Sequence, residues 1–333
     1  MKPKKLSILM MLAIMASVFT FNSCKKDKDD EPAAPVTSGG GGSTAACAPD
    51  TMFTSTGTSP KLVFKFVFDS TQVRLDNVGN PSTVPAGHAA QSPVFNWMSQ
   101  HYIELAGDLD SLGHGQVLYL GTQTTAGGAS AIDYCSSIQT RQNVTFFSKP
   151  LSTIAPGSYK WLRVSLAYQN YNIKYKSTSV PGGFGTGTIA SFIGFRTYVT
   201  GYQINGVSYT PSSGAGGPGN HNQGYWGFQT TVAGTNYFVD GQSAGTTVPN
   251  PLFATSPIPA GSCVVTGQFV DNTMANSPLV ITGLETSDIV ITVSLSTNKS
   301  FEWIDSTPDG YFEPSIGEAV VDMGIRGLIP IKN

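Results

Sequence analysis

Near the C-terminal end, Asp305, Thr307, Asp309 and Gly310 follow one another with the spacing that opens a calcium-binding loop. In such a loop alternate oxygen side chains face one ion, and the glycine permits a tight turn. The pattern then departs: position twelve, where a bidentate glutamate is wanted, is Ile316, and Pro308 interrupts the run. Glu313 or Glu318 would supply the missing carboxylate through a different backbone path. The candidate ligand set is therefore Asp305, Thr307, Asp309, Glu313 and Glu318 around calcium, and an exposed Asp/Gly turn accounts for the same residues without an ion.

Three other groups of residues have types that could do chemistry. Gly241, Ser243 and Gly245 have the spacing of a hydrolase nucleophile elbow, which works only where a strand turns sharply into a helix. Pro249 and Pro251 follow closely and no helix can start there, so no catalytic residue is assigned. His101 and Glu104, three apart on a strand, point to opposite faces, so His101 reads as a half-buried, hydrogen-bonded core neighbour of Ile103 and Leu105. His114 and His221 could bind copper or zinc only with distant partners. Tyr225, Trp226 and Phe228 form an aromatic cluster that either stacks on sugar faces or belongs to the core.

A glycan-active hydrolase would need paired carboxylates across a cleft. Glu302, Asp305, Asp309, Glu313, Glu318 and Asp322 supply acids, but their clustering on one turn-rich segment suits a cation better than a sugar ring. The expectation is a non-enzymatic binding role, for a metal ion, a glycan or a protein partner. A hydrolase and a purely structural envelope component stand as the alternatives.

The elements that must position these residues are strands. The chain has 37 glycines, 21 prolines and 11% aromatic residues, a mixture that suits strands joined by turns. Leu62, Phe64, Phe66 and Phe68 alternate with Lys61, Val63, Lys65 and Asp69, and Ile289, Ile291, Val293 and Leu295 alternate in the same way. Within Trp161 to Lys176, Leu162, Val164, Leu166 and Tyr168 occupy even positions, whereas Tyr171, Ile173 and Tyr175 occupy odd ones. That change of phase predicts a bulge or bend near Gln169 and Asn170. Further strands are expected around 101–105, 116–122, 143–147, 193–203, 224–229, 262–270 and 279–281. The fold expected over 59–333 is an all-β, antiparallel β-sandwich with long Gly/Pro-rich loops and a Gly-rich insertion around 181–223.

The N-terminus reads as an address. Lys2, Lys4 and Lys5 precede an apolar stretch from Leu6 to Phe21, which is too short for a good membrane span and has the build of a secretory signal. Ser23 and Cys24 follow at once, so 1–23 is read as a lipoprotein signal peptide and Cys24 as the lipidated residue. Residues 24–58 form a tether: the charged run Lys25 to Glu31, then a segment rich in Pro, Ala, Ser and Gly. Several acyl chains on one cysteine give stable anchoring.

Removing the signal takes away three lysines and no acid, so 19 basic and 21 acidic residues become 16 and 21, a formal charge of −5. That balance excludes the basic footprint of a nucleic-acid binder. Export makes disulfides available, and Cys135 with Cys263 is the expected pair, leaving Cys47 free or linked near the tether.

FNSC at Phe21 resembles the processing site of Bacteroidetes lipoproteins, and the lysine-and-acid run after it resembles the export signal that sends some of them to the outer face of the outer membrane. KLVFKFVF at Lys61, MSQHYIEL at Met98, PLSTIAPGSYKWLRVSLAYQ at Pro150, GYWGF at Gly224 and IVITVSLSTNKSFEW at Ile289 resemble the MbnP-like β-sandwich domains of such lipoproteins. The resemblance implies a β-sandwich and, through a copper-binding periplasmic member of that family, copper as a second candidate ion. It matches none of His101, His114 or Met98 to a ligand position.

Overall fold

The computed structural model describes residues 47, 60–76, 78–108, 115–242, 259 and 261–333. Among them the chain is all-β: the helical residues are three single turns of 3-10 helix, at Leu151–Thr153, Ser213–Ala215 and Pro314–Ile316. Turn glycines and prolines break the chain too often for a longer helix to propagate.

Two sheets form the main sandwich. The smaller has the order Leu328–Lys332, Ile289–Ser296, Lys61–Asp69, Thr145–Pro150. The larger runs from Thr235–Gln242 through Tyr225–Val232, Phe184–Phe192, Trp161–Lys176 and Val94–Ala106 to Gln116–Leu120, with Cys263–Gln268 also paired to the first half of Trp161–Lys176. The alternation read from the sequence is the burial pattern: Leu62, Phe64 and Phe66, with Ile291, Val293 and Leu295, are fully buried against Ile103, Leu105, Leu162, Val164 and Leu166 of the larger sheet. Each such large apolar side chain contributes about 1.5–3 kcal/mol by leaving water.

The two alternating strands near the ends of the domain are direct neighbours, and they pair in parallel, with Leu62 opposite Ile289. Ladders elsewhere in the sandwich are antiparallel, so the expected architecture holds with one parallel pair at its centre.

The central strand Trp161–Lys176 carries the phase change. Leu162, Val164 and Leu166 face the main core, whereas Tyr168 lies in a separate cluster with Tyr134, Phe192 and Tyr202. Its register against Val94–Ala106 shifts between Ser165 and Leu166, between Leu166 and Tyr168, and again between Asn170 and Tyr171. The last of these lies at the bulge expected near Gln169 and Asn170, and the earlier two precede it. Around Ala167 the strand changes neighbour: pairing with Cys263–Gln268 ends at Leu166, pairing with Phe184–Phe192 starts at Tyr168, and the Ala167 carbonyl between them accepts from the amides of Ile193 and Gly194. Beyond the slip Tyr171, Ile173 and Tyr175 face inward, into a second core closed by Phe301, Trp303, Val320 and Met323.

The expected insertion at 181–223 divides in two. Phe184–Phe192 is an integral strand of the large sheet, and only the residues after it build a separate lobe. That lobe consists of Arg196–Val199 and Gly219–Asn222, which pair beside Ala131–Asp133, and the hairpin Tyr202–Ile204 with Val207–Tyr209.

Candidate functional site

The acidic segment folds around a cation of the protein's own. Lys176, at the end of the central strand, places Nζ 2.6 Å from Asp309 Oδ2 and 3.0 Å from Glu313 Oε1. Thr307 Oγ1 donates to Glu313 Oε2 at 2.9 Å. Asp305 Oδ2 accepts the Gly310 amide, and Glu318 accepts the amides of Ser306 and Glu313. The Lys176 ammonium holds the Asp309 carboxyl below its ordinary range, and both acids hold the lysine above its own. Burial holds Glu318 above the usual carboxylate range. The five expected ligands thus lie along one loop but are engaged with a lysine and with backbone amides. Among the described residues no group of three or more His, Cys, Asp or Glu side chains is arranged to hold a metal ion.

The aromatic trio is interior. Tyr225 is fully buried and Trp226 and Phe228 are 3% exposed, so no ring face is open to a sugar. Trp226 and Phe228 belong to the second core, and Tyr225 faces the other way, donating to Asp240 Oδ2 at 2.8 Å and stacking on His221. Alternation on a strand covered on both faces buries every ring, which is why the surface reading fails.

The cysteine pairing also differs from expectation. Cys135 is bonded to Cys47, and Cys263 is a buried free thiol. Cys263 sits on a strand inside the main core, whereas Cys135 lies on the lobe side, where Cys47 packs against the Tyr134 and Tyr168 cluster. A whole sheet separates the two faces, and a disulfide needs Cα atoms within about 7 Å.

His101 is fully buried rather than half-buried, with Nε2 2.9 Å from Gln123 Nε2 and the ring beside Phe195. His221 Nε2 donates to the Gly217 carbonyl. Cys24, His114, Ser243 and Gly245 lie outside the described residues.

The residues that do converge on a cavity are amides. On the lobe side of the large sheet a cavity of about 660 Å³ is lined by Asn96, Trp97, Gln139, Arg141, Gln142, Asn170, Gln203 and Asn205, with Tyr134 and Tyr168 behind them and Cys47 at the wall. The slip in the central strand makes this site. It turns the even positions Tyr168, Asn170 and Asn172 away from the main core, so two asparagines that would have been buried among Leu and Phe face the lobe instead.

A chain of hydrogen bonds holds them. Asn96 Nδ2 donates to Asn170 Oδ1 at 2.9 Å and to Asn172 Oδ1 at 3.1 Å. Thr188 Oγ1 donates to Asn172 Oδ1 at 2.7 Å and accepts from Asn205 Nδ2 at 2.9 Å. Asn170 Nδ2 donates to the Tyr168 hydroxyl. Asn205 is delivered by a two-residue Asn-Gly turn in which Asn205 and Gly206 have φ of 51° and 77°, the left-handed geometry that the twist of a tight hairpin requires. Burial pushes the Tyr168 phenol up to about 12 and Tyr134 well above its ordinary value, so both remain neutral hydroxyls.

Among the described residues that line the cavity, Arg141 carries the only charge. Its guanidinium lies 3.5 Å over the Trp97 ring.

A second cavity, of about 500 Å³, lies between the acidic loop and the tip of the central strand, where exposed Phe184 and Tyr311 meet edge to face at 5.0 Å. Its wall is largely aromatic and lacks a comparable set of convergent polar groups.

Sequence reasoning missed the amide site because its members lie on five separate segments. One signal was present: Asn170 and Asn172, two apart in a long apolar strand, are polar residues of one face. No family model, curated protein or solved structure matches the chain.

Proposed function

We propose that this protein is a lipid-anchored lipoprotein, facing the exterior from the outer membrane, whose β-sandwich binds a carbohydrate in the amide-lined cavity without turning it over. The observation that carries the reading is the pair Asn96 and Asn170 on the wall of a cavity of about 660 Å³, linked to each other and, through Asn96, to Asn172. A carboxamide offers two donors and an acceptor, and a sugar hydroxyl both donates and accepts, so a bed of amides and phenols satisfies a hydroxyl-rich ligand without charge. The volume lies inside the range of about 300–1,000 Å³ for small-ligand sites. Preorganisation of the amides by one another lowers the ordering cost of binding.

The carboxylates that hydrolysis would need lie in the acidic loop, bound to Lys176 and to backbone amides, so the binding reading leads the hydrolase one. Anchoring rests on the leader and on Cys24, with acyl chains as the membrane partner. Calcium and copper play no part in this reading.

The test is an oligosaccharide array probed with the detergent-solubilised full chain, alongside Asn170→Ala. Binding to a defined set of glycans by the wild type, with about a tenfold or greater loss in the variant, is expected from the loss of two hydrogen bonds. Silence of the array towards every glycan, confirmed by calorimetry at millimolar ligand, sinks the reading. For the anchor, palmitate labelling is expected in the wild type and absent in Cys24→Ala.

A further inference from the structure

We infer that the sugar bound in the amide cavity carries a carboxylate, as in a uronic acid, and that Arg141 is the residue that selects it. The inference rests on the carbohydrate reading above and adds the chemical class of the ligand.

Three observations support it. First, Arg141 is the only charged side chain among the described residues lining the cavity, and the rest of that wall is amide, phenol and aromatic. A cationic centre in an otherwise neutral cleft, with no acid to compensate it, favours an anion. Second, the guanidinium is held but not used up. It lies over the Trp97 ring at 3.5 Å, and no carboxylate or carbonyl among the described residues accepts a hydrogen bond from it. Stacking on the indole engages the face of the guanidinium, and the donors of its rigid fork lie in the plane, where a carboxylate is met through two parallel hydrogen bonds.

Third, the backbone beneath Arg141 is fixed. The Arg141 carbonyl accepts the Val144 amide, Asn143 within that turn has a φ of 60°, and the Asn143 amide donates to the Phe66 carbonyl at 2.9 Å. Gln142, which lines the same cavity, is fixed as well, since its Oε1 accepts the Phe68 amide at 2.6 Å, and its amide nitrogen is a further donor. The same wall therefore carries a cation with its own in-plane donors and an amide donor, which suit a carboxylate, while the asparagine cluster meets the ring hydroxyls.

The test compares oligouronides (galacturonate, glucuronate and mannuronate series) with their methyl esters, which keep the sugar and remove the charge. Calorimetry uses the detergent-solubilised full chain, as wild type, Arg141→Met and Arg141→Lys. At least one acidic series is expected to bind about tenfold or more tightly over its ester, to weaken as salt rises, and to lose the preference in Arg141→Met. Arg141→Lys keeps the charge without the fork and is expected to retain only part of it. Arg141 is exposed, so the variants are expected to keep the wild-type urea midpoint, which is measured in parallel.

Equal affinity for acid and ester, or a preference that survives in Arg141→Met, overturns the inference and leaves the carbohydrate reading standing. Binding of neutral glycans only does the same. Binding of no sugar at all removes both.

Discussion

Asn96 and Asn172 face each other across neighbouring strands as a reciprocal amide pair, Asn96 Nδ2 donating to Asn172 Oδ1 at 3.1 Å and Asn172 Nδ2 donating to Asn96 Oδ1 at 3.5 Å. Thr188 also donates to Asn172 Oδ1, so Asn172 is the point where three strands of the large sheet are tied through side chains. Replacing Asn172 with Leu leaves the Thr188 hydroxyl and one Asn96 N–H without an acceptor. The expected cost is about 1–3 kcal/mol in a urea titration, together with loss of glycan binding. An unchanged midpoint would show that the cluster is not coupled to the fold.

The cysteines give a chemical test. Burial pushes the Cys263 thiol up to about 12, so it is expected to resist iodoacetamide in the native protein and to react only on unfolding. Peptide mapping should find Cys47 linked to Cys135, across 88 residues. For a loop of that length the chain-entropy account gives about 4–5 kcal/mol, so mild reduction is expected to lower the melting temperature markedly. A Cys135 to Cys263 peptide would contradict the structure directly.

His101 predicts a pH dependence. Burial holds its imidazole at about 4, below the ordinary value of 6.5. The folded state thus refuses a proton that the unfolded state accepts between those two values, and stability is full above about 6.5 and falls as pH drops towards 4. The size is on the order of 3 kcal/mol across the window. The unfolding free energy of His101→Gln, measured from pH 7.5 to 4.5, is expected to be flatter than that of the wild type. Parallel curves would remove His101 as the origin.

Lys176 and the acidic loop make a paired prediction. With the ammonium between Asp309 and Glu313, calcium is expected to leave the melting temperature of the wild type unchanged. Lys176→Met leaves two acids facing each other, so the variant is expected to melt lower without calcium and to recover some stability with it. A wild-type melt that rises with calcium and falls with chelator would restore the ion-binding loop.

How far the site and fold could be read in advance follows from the range of each interaction. Alternation at Leu62, Phe64 and Phe66 needs only a strand and one buried face, and it is visible in a few consecutive residues. The slip in the central strand was visible too, as the jump from even to odd apolar positions. The shift between Asn170 and Tyr171 lies where that jump placed it, whereas the earlier irregularities around Leu166 follow from the switch of neighbour at Ala167, which depends on where Cys263–Gln268 ends. Tyr225, Trp226 and Phe228 were ambiguous because an aromatic run looks alike on a sheet covered on one face or on both.

By itself, then, the sequence determined the strand content and the faces that leave water, because each depends on neighbours close along the chain. Tertiary structure decided the disulfide partner of Cys135, the lysine that enters the acidic loop and the gathering of Asn96, Asn170, Asn205 and Arg141 around one cavity. Those depend on which face of a shared sheet each strand presents, and a single-residue slip reverses that choice for every side chain beyond it.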